Sequence, residues 1–272
     1  MNGLGKILAG IILVCMLTAP ALSEQDTLAR IIKRGTLVAG VKDSLPPFGY
    51  IDEKTRKLVG YDVDFARAIA DKLGVKIELK PVTSASRVPQ LAEGNIDIIV
   101  ATTSKTPPRL KQIDFSHAYF FTVQKFLVKR GTVKNLTDLE GKKIGTAKGS
   151  DSEQNVAVAL PSAIILSFDD YPPAFLALQQ GKIFAVTTDE PILAGILEKA
   201  PNKPLFEIPD LQIYDEAYGI GVRKGNKAFV DFINETLLEL EKNGQARKIF
   251  DKWFGPGTPT PLKRNFIITA DK

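Results

Sequence analysis

Hydroxyl side chains and two arginines gather around one predicted strand. Isoleucine and valine mark a buried strand over residues 96–101, and Thr102 and Ser104 follow it directly. Arg109 stands in a short helix that begins with two prolines, and Arg87 belongs to a short helix before the strand. Small ligands bind at the carboxyl ends of strands in open α/β sheets. Arginines and free N–H groups at helix starts favour an anion, most simply a carboxylate.

The elements around this strand alternate between strands and helices. Hydrophobic periodicity predicts a strand over 36–41, a helix over 60–74 with Asp62 as its N-cap, and a strand over 75–79. The loop 42–50 is expected to be irregular because its prolines prevent a helix. The resulting βαβαβ order predicts a largely parallel sheet.

A second block of the same kind lies between two extended segments, one over 117–128 and one over 218–223. Its first helix follows a glycine turn and begins with a predicted capping box, in which Ser150 pairs with Glu153. Asp189 stands at the end of the last strand of this block. The length after residue 23 suffices for one large domain or two lobes, and this order of elements is compatible with two α/β units.

Residues 1–23 have the features of a cleaved export signal. Lys6 supplies a positive start, an apolar stretch covers 7–17, and small residues precede Glu24. The stretch is too short for a membrane span, and the one cysteine of the sequence, Cys15, lies inside it. The 36 basic and 31 acidic side chains are interspersed without a basic tract, which argues against a nucleic-acid partner. We expect an exported, periplasmic protein without disulfides.

Several stretches resemble, in one order along the chain, the extracytoplasmic polar-amino-acid-binding proteins of ABC importers. They are GYDVD at 60–64, GNID at 94–97, Arg109 followed by DFS at 114–116, DLEGK at 138–142, AYGI at 217–220 and FDKWF at 250–254. Within that family, TSASRVP at 83–89 resembles the glutamate/aspartate-binding branch.

The resemblance implies an α/β fold of the type II periplasmic-binding-protein class, with two lobes that close over a ligand. Lobe 1 would comprise 24–118 and 219–272, and lobe 2 would comprise 124–213. Two hinge crossings would lie near 119–123 and 214–218. The expected protein is a monomeric receptor without a cofactor, and its partner is a membrane permease.

The resemblance also implies how the backbone groups of an amino acid would be held. Arg109 would clamp the α-carboxylate through paired N–H donors, a geometry that lysine does not offer. Thr102 and Ser104 would hold the α-amino and α-carboxylate groups, and Asp189 would receive the ammonium group. Ser150 would donate to a ligand carboxylate from the start of its helix.

Selectivity is expected to lie in Ser84 and in two basic residues, Lys42 and Arg87, which would hold a side-chain carboxylate. Lys42 departs from the arginine of the glutamate/aspartate branch, and Tyr171 stands where a histidine is common. Two further site candidates, the aromatic residues that follow the first strand and would pack on the ligand's carbon stem, are Phe48 and Tyr50.

These charges predict an acidic ligand. The three basic site residues against the single acid Asp189 match two carboxylates and one ammonium group. The leading hypothesis is therefore a non-enzymatic receptor for L-glutamate and/or L-aspartate.

Two other functions stay open. The same fold resembles the exported cyclohexadienyl dehydratases, for which Glu190 or Glu153 would be the proton donor. A freestanding receptor that passes its ligand to a membrane sensor is the other. The sequence contains no metal-ligand cluster, P-loop, GxSxG or CxxC motif.

Overall fold

The computed structural model describes residues 27–270. The predicted signal, 1–23, and Cys15 lie outside the described residues. The helices are α1 (Thr27–Arg34), α2 (Tyr61–Leu73), α3 (Arg87–Ala92), α4 (Pro107–Leu110), α5 (Asp151–Ala159), α6 (Tyr171–Gln179), α7 (Glu190–Glu198), α8 (Lys227–Lys242) and α9 (Gln245–Phe254). The strands are β1 (Thr36–Val41), β2 (Ser44–Leu45), β3 (Gly49–Ile51), β4 (Leu58–Val59), β5 (Lys76–Pro81), β6 (Ile98–Ile99), β7 (Ile113–Lys129), β8 (Lys143–Ala147), β9 (Ile164–Phe168), β10 (Ala185–Asp189), β11 (Phe206–Glu207) and β12 (Tyr214–Arg223).

The main sheet has the strand order β5-β1-β6-β12-β7-β10-β8-β9, with β11 beside β7. On one side β1 pairs in parallel with β5 and β6, and on the other β8 pairs in parallel with β9 and β10. The long strands β7 and β12 are antiparallel to each other and connect the two sides. The chain therefore forms two α/β lobes joined by two crossing strands, as predicted.

The two segments predicted as hinges pair with each other. Register partners run from Tyr214 with Gln124 to Tyr218 with Phe120. Both crossings therefore lie side by side, which is what rotation of one lobe about a single axis requires. The boundaries of the lobes stay a prediction.

Aromatic side chains fill the core of lobe 1 next to these crossings. The ring of Phe48 meets Phe120 edge-on at 5.0 Å and Tyr218 at 5.6 Å between centroids. Tyr61 and Phe254 complete the cluster at 6.0 and 5.5 Å from Phe48. Edge-to-face pairs of this kind add to the stability that burial of the rings supplies.

The loop after β1 is more regular than the sequence analysis predicts. Its prolines do exclude a helix, but β2, β3 and β4 form a small antiparallel sheet, in which Ser44 pairs with Tyr50 and Tyr50 with Val59. Pro46 and Pro47 lie in the turn between β2 and β3, where their missing N–H groups remove no ladder hydrogen bond.

Beyond α9 the described chain has no regular structure, and one buried ion pair holds it. Both terminal nitrogens of Arg264 donate to Glu241 of α8, and the guanidinium lies over the ring of Phe266 at 4.9 Å. Among residues 27–270, no helix has the length and apolar composition needed to cross a membrane.

Candidate functional site

A small cavity lies between the lobes. Its lining consists of Ser84, Arg87, Thr102, Ser104, Ser150, Asp151, Ser152, Tyr171, Asp189, Ile192 and Glu216. It measures about 10 Å³, which is space for about one water molecule. A wider pocket of about 440 Å³ shares Ser84, Ser150 and Asp151 with it, so the cavity adjoins an opening at the cleft mouth. Seven of the eleven predicted site residues line the cavity.

Thr102 is held in place by Asp62. The Thr102 backbone has a positive φ of 46°, and its N–H donates to Asp62 Oδ2 at 2.8 Å. Tyr119 donates its hydroxyl to the other oxygen of Asp62 at 2.7 Å, and burial raises the pKa of Asp62 to about 7. Helix α2 begins at Tyr61, so the prediction that Asp62 is its N-cap is wrong. Its side chain positions the hydroxyl loop instead.

Arg87 forms part of the cavity wall from lobe 1. Its Nη1 donates to the backbone carbonyls of Ala101 at 2.6 Å and Thr102 at 3.1 Å. Its Nε has no hydrogen-bond partner among the described residues. Burial, followed by the charge of Arg109, lowers the pKa of Arg87 to about 10, so the guanidinium stays charged at neutral pH.

Lys42 lies one side chain behind the cavity. It is fully buried, and its Nζ donates to Ser84 Oγ at 3.0 Å and to Asp170 at 3.4 Å. Burial lowers its pKa to about 8, although Asp170 opposes that shift. The structure therefore brings Lys42 to the site only through Ser84, and its charge is paired with a carboxylate from lobe 2.

Arg109 is paired across the cleft. Its Nη1 forms an ion pair with Asp151 and donates to Ser104 O at 3.2 Å, and its Nη2 donates to Gly149 O at 3.2 Å. Arg109 and Ser104 belong to lobe 1, whereas Asp151 and Gly149 belong to lobe 2. The predicted carboxylate clamp therefore already contacts a carboxylate of the protein.

Asp189 ends β10 and faces the cavity from lobe 2. Tyr218 on the crossing strand donates its hydroxyl to Asp189 Oδ2, whereas the buried Oδ1 has no partner among the described residues. Burial, and then the charge of Glu216, raises the pKa of Asp189 well above its usual range. This oxygen is a strong acceptor that a ligand ammonium group would satisfy.

The other lobe 2 residues supply hydroxyls. Tyr171 has its hydroxyl 3.4 Å from Ser152 Oγ, and burial raises its pKa to about 12. Ser150 donates to Ala147 O at 2.7 Å and not to its own helix. The predicted capping box is wrong, because Glu153 accepts from Gly149 N at 3.3 Å instead of reaching back to Ser150.

The sequence analysis missed the carboxylates that the fold brings to this region. Asp151 and Glu216 line the cavity, and Asp170 pairs with Lys42. Glu216 is buried on β12, accepts from Asn155 Nδ2 at 2.9 Å and also has a hydrogen bond to Ser104. The position of Asp151 at the first turn of a helix was the one available signal, whereas nothing in the local pattern marks Glu216.

These additions change the charge balance of the site. Three cations are present (Lys42, Arg87 and Arg109), and four carboxylates accompany them (Asp151, Asp170, Asp189 and Glu216). The expected excess of positive charge is therefore not what the folded chain has.

The two predicted aromatic site residues do not line the cavity. Phe48 is fully buried in the core of lobe 1. Tyr50 packs on Trp253 at 6.1 Å between ring centroids, and the Lys199 ammonium lies 5.8 Å from its ring. Phe48 lies in the turn between β2 and β3, and Tyr50 lies on β3. This small sheet was not predicted.

Comparison with known proteins places the chain in a family. Residues 37–256 match the family model of bacterial extracellular solute-binding proteins, family 3. The chain is 39% identical to the ABC transporter glutamine-binding protein GlnH of Bacillus subtilis over 85% of each chain. It is 34% identical to the glutamate/aspartate import solute-binding protein of Salmonella typhimurium, over 93% of this chain and 87% of the relative.

Solved structures give the same result for the fold. An ancestral arginine-binding protein bound to glutamine is 43% identical and superposes with a TM-score of 0.77, over 82% of this chain and 99% of that one. The predicted α/β periplasmic-binding-protein fold is thereby confirmed. This chain belongs to the bacterial extracellular solute-binding proteins, family 3.

Proposed function

We propose that this protein captures a polar L-amino acid between its lobes and delivers it, outside the cytoplasm, to the permease of an ABC importer. The observation that carries the proposal is the free oxygen of Asp189, a buried acceptor that lines the same cavity as the lobe 1 hydroxyls. An ammonium group would satisfy this oxygen, and the Arg109 guanidinium with the start of α5 would attract the α-carboxylate.

The charge balance favours a ligand whose side chain is polar but uncharged, such as glutamine. The carboxylates of Asp151, Asp189 and Glu216 line the cavity, whereas Arg87 is the cation that lines it directly. A further carboxylate on the ligand would enter an environment that is already rich in negative charge. The glutamine-binding relative and the ancestral protein bound to glutamine support the same ligand class.

An acidic amino acid is the second candidate, and one specific observation favours it. Arg87 lines the cavity with an unpartnered Nε, and Lys42 lies directly behind Ser84. A side-chain carboxylate could accept from Arg87 where an amide oxygen would gain less. The glutamate/aspartate-binding relative supports this candidate.

A thermal-shift screen would separate the two candidates. The protein is unfolded in guanidinium, refolded without ligand, and then melted with each of the twenty amino acids, including L-glutamine, L-glutamate, L-aspartate and L-arginine. A bound ligand raises stability by mass action. We expect the largest shift with glutamine. Larger shifts for glutamate and aspartate would select the acidic ligand, and no shift with any of the twenty amino acids would refute the proposal.

The proposed role is binding and not catalysis. Neither of the two proton donors considered for a dehydratase lines the cavity. Glu190 pairs with Lys125 at 3.1 Å, and Glu153, which lines the adjoining wider pocket, bonds to Ser167 and Gly149. Incubation with prephenate or arogenate and a search for an aromatic product would test this directly. Formation of that product would contradict a purely binding role.

A further inference from the structure

The ion pair between Arg109 and Asp151 joins the two lobes at the ligand cavity. Arg109 stands on α4 of lobe 1, and Asp151 is the first residue of α5 in lobe 2. Both side chains are nearly excluded from solvent, with 9% and 12% of their surface exposed. Thr106 donates to the second oxygen of Asp151 at 3.4 Å, so both carboxylate oxygens of Asp151 contact lobe 1.

Asp151 interacts with the same features that would attract the α-carboxylate of an amino acid. These features are the Arg109 guanidinium and the N-terminal turn of α5, whose free N–H groups and dipole favour negative charge. A ligand carboxylate at this end of the cavity would compete with Asp151 for the donors of Arg109, and it would be repelled by the charge of Asp151.

We propose that Asp151 is an internal substitute for the ligand carboxylate, which holds the lobes together and weakens ligand binding. The inference rests on the proposed function, because it assumes that the ligand carboxylate binds at Arg109. Asp151 neutralises Arg109 when the cleft shuts without a ligand. If Asp151 were uncharged, closure would leave Arg109 buried with one fewer counter-charge, and the ligand would have to supply it.

The consequence for affinity follows from the equilibrium between open and closed lobes. A ligand can enter only the open form, so a contact that favours closure without ligand reduces the fraction that is competent to bind. Loss of the Asp151 charge is therefore expected to strengthen binding, both by raising the open fraction and by removing repulsion. Asp151 thereby sets the affinity of the receptor.

The test compares Asp151→Asn with a matched control, Glu153→Gln. Glu153 lies in the same first turn of α5, but it contacts Gly149 and Ser167 rather than Arg109. Both variants remove one negative charge from the first turn of the same helix. They therefore change the net charge equally, and both lose a favourable interaction with the helix dipole. A cooperative melting transition in each refolded variant would show that both fold.

The first readout is the distance between the lobes without added ligand. Spin labels are placed at Glu93→Cys in lobe 1 and Glu140→Cys in lobe 2, both of which are exposed positions. The one natural cysteine of the sequence, Cys15, lies in the predicted signal, so the labels react only at the introduced cysteines. We expect Asp151→Asn to shift the distance distribution between the labels away from that of the parent, toward the open form, whereas Glu153→Gln leaves it unchanged. Identical distributions in all three proteins would overturn the closing role.

The second readout is affinity by calorimetry for L-glutamine and, in parallel, L-glutamate, which share the α-carboxylate. We expect Asp151→Asn to bind roughly 5- to 100-fold more tightly, the usual range for coupled equilibria, and Glu153→Gln to match the parent. Unchanged or weaker binding by Asp151→Asn would refute the substitute role. The distance readout needs no ligand, so failure of the proposed function would be recognised separately.

Discussion

Gly195 of α7 lies directly against the backbone carbonyl of Pro46, which belongs to the opposite lobe. A Cβ at Gly195 would overlap the Pro46 oxygen, and nothing in that backbone contact is flexible enough to move aside. A second glycine allows a similar approach at the other side of the cleft, where a Cβ at Gly149 would lie 2.8 Å from Ala85 Cα. The closeness of the lobes therefore depends on two absent side chains.

Gly195→Ala is expected to oppose closure without harming either lobe. Ligand affinity should fall about tenfold or more, because an overlap with backbone must be relieved by separation of the lobes. Alanine is the better helix former by about 1 kcal/mol, so the ligand-free melting temperature should stay constant or rise. Calorimetry and thermal melting check both parts. A variant with parental affinity would show that the ligand-bound protein does not need the contact.

Asp189→Asn is expected to weaken binding of every amino acid by roughly 100-fold or more, because each carries the ammonium group that Asp189 would receive. Asp169→Asn, on the exposed turn before α6, makes the same charge change and serves as control. Isothermal titration with glutamine, glutamate and aspartate provides the measurement. An affinity of the Asp189 variant within threefold of that of the control would show that Asp189 does not bind the ligand.

Affinity is expected to increase with pH. Burial, and then the charge of Glu216, raises the pKa of Asp189, whereas the Tyr218 hydroxyl and Arg87 oppose this shift. Burial also raises the pKa of Glu216, and the charge of Asp151 raises both pKa values. A ligand ammonium group lowers the pKa values of both carboxyl groups, so the complex holds fewer protons than the free protein. Binding therefore strengthens as the pH rises from the pKa values in the complex to those in the free protein.

Titrations at about pH 5 and about pH 8, in buffers of different ionisation enthalpy, would detect the proton that binding releases. Affinity that is independent of pH, with no proton released, would show that Asp189 and Glu216 are already ionised before the ligand arrives.

Arg87→Gln is expected to distinguish the two candidate ligands. If the ligand side chain lies at the free Nε of Arg87, glutamate should lose roughly 100-fold in affinity and glutamine less than about tenfold, because a charged hydrogen bond is the stronger one. Competition titrations with both amino acids measure the ratio. Equal losses would mean that Arg87 supports the backbone carbonyls of Ala101 and Thr102 without reading the ligand.

Substitutions of Phe48 and Tyr50 are expected to have different effects on stability and affinity, although the two residues are close in the sequence. Phe48→Ala should lower the free energy of unfolding by about 3–5 kcal/mol, because it empties a buried aromatic cluster. Tyr50→Leu should leave affinity within about twofold, since its ring packs on Trp253 outside the cavity. Denaturant unfolding and calorimetry test the pair. A large loss of affinity in Tyr50→Leu would support the predicted contact between Tyr50 and the ligand.

Much of the fold could be predicted because it depends on neighbours in the chain. The strand β1 (Thr36–Val41) lies where periodicity predicts it, and the helix α2 (Tyr61–Leu73) lies within one residue of the predicted 60–74 at each end. The pattern of apolar side chains and the glycine stops act over a few residues. β6 is shorter than the predicted 96–101, because only Ile98 and Ile99 find partners on both neighbouring strands. Strand length depends on pairing, which is not a local property.

For the site, the sequence by itself determined which side chains stand at strand ends and helix starts, and Arg87 and Asp189 line the cavity for that reason. It also carried the resemblance that led to the family. Only the tertiary structure decided the charge balance, because Asp151, Asp170 and Glu216 reach the arginines and Lys42 from distant parts of the chain. Electrostatic energy depends on the distance between charges and on their burial, and neither is defined before the two lobes meet.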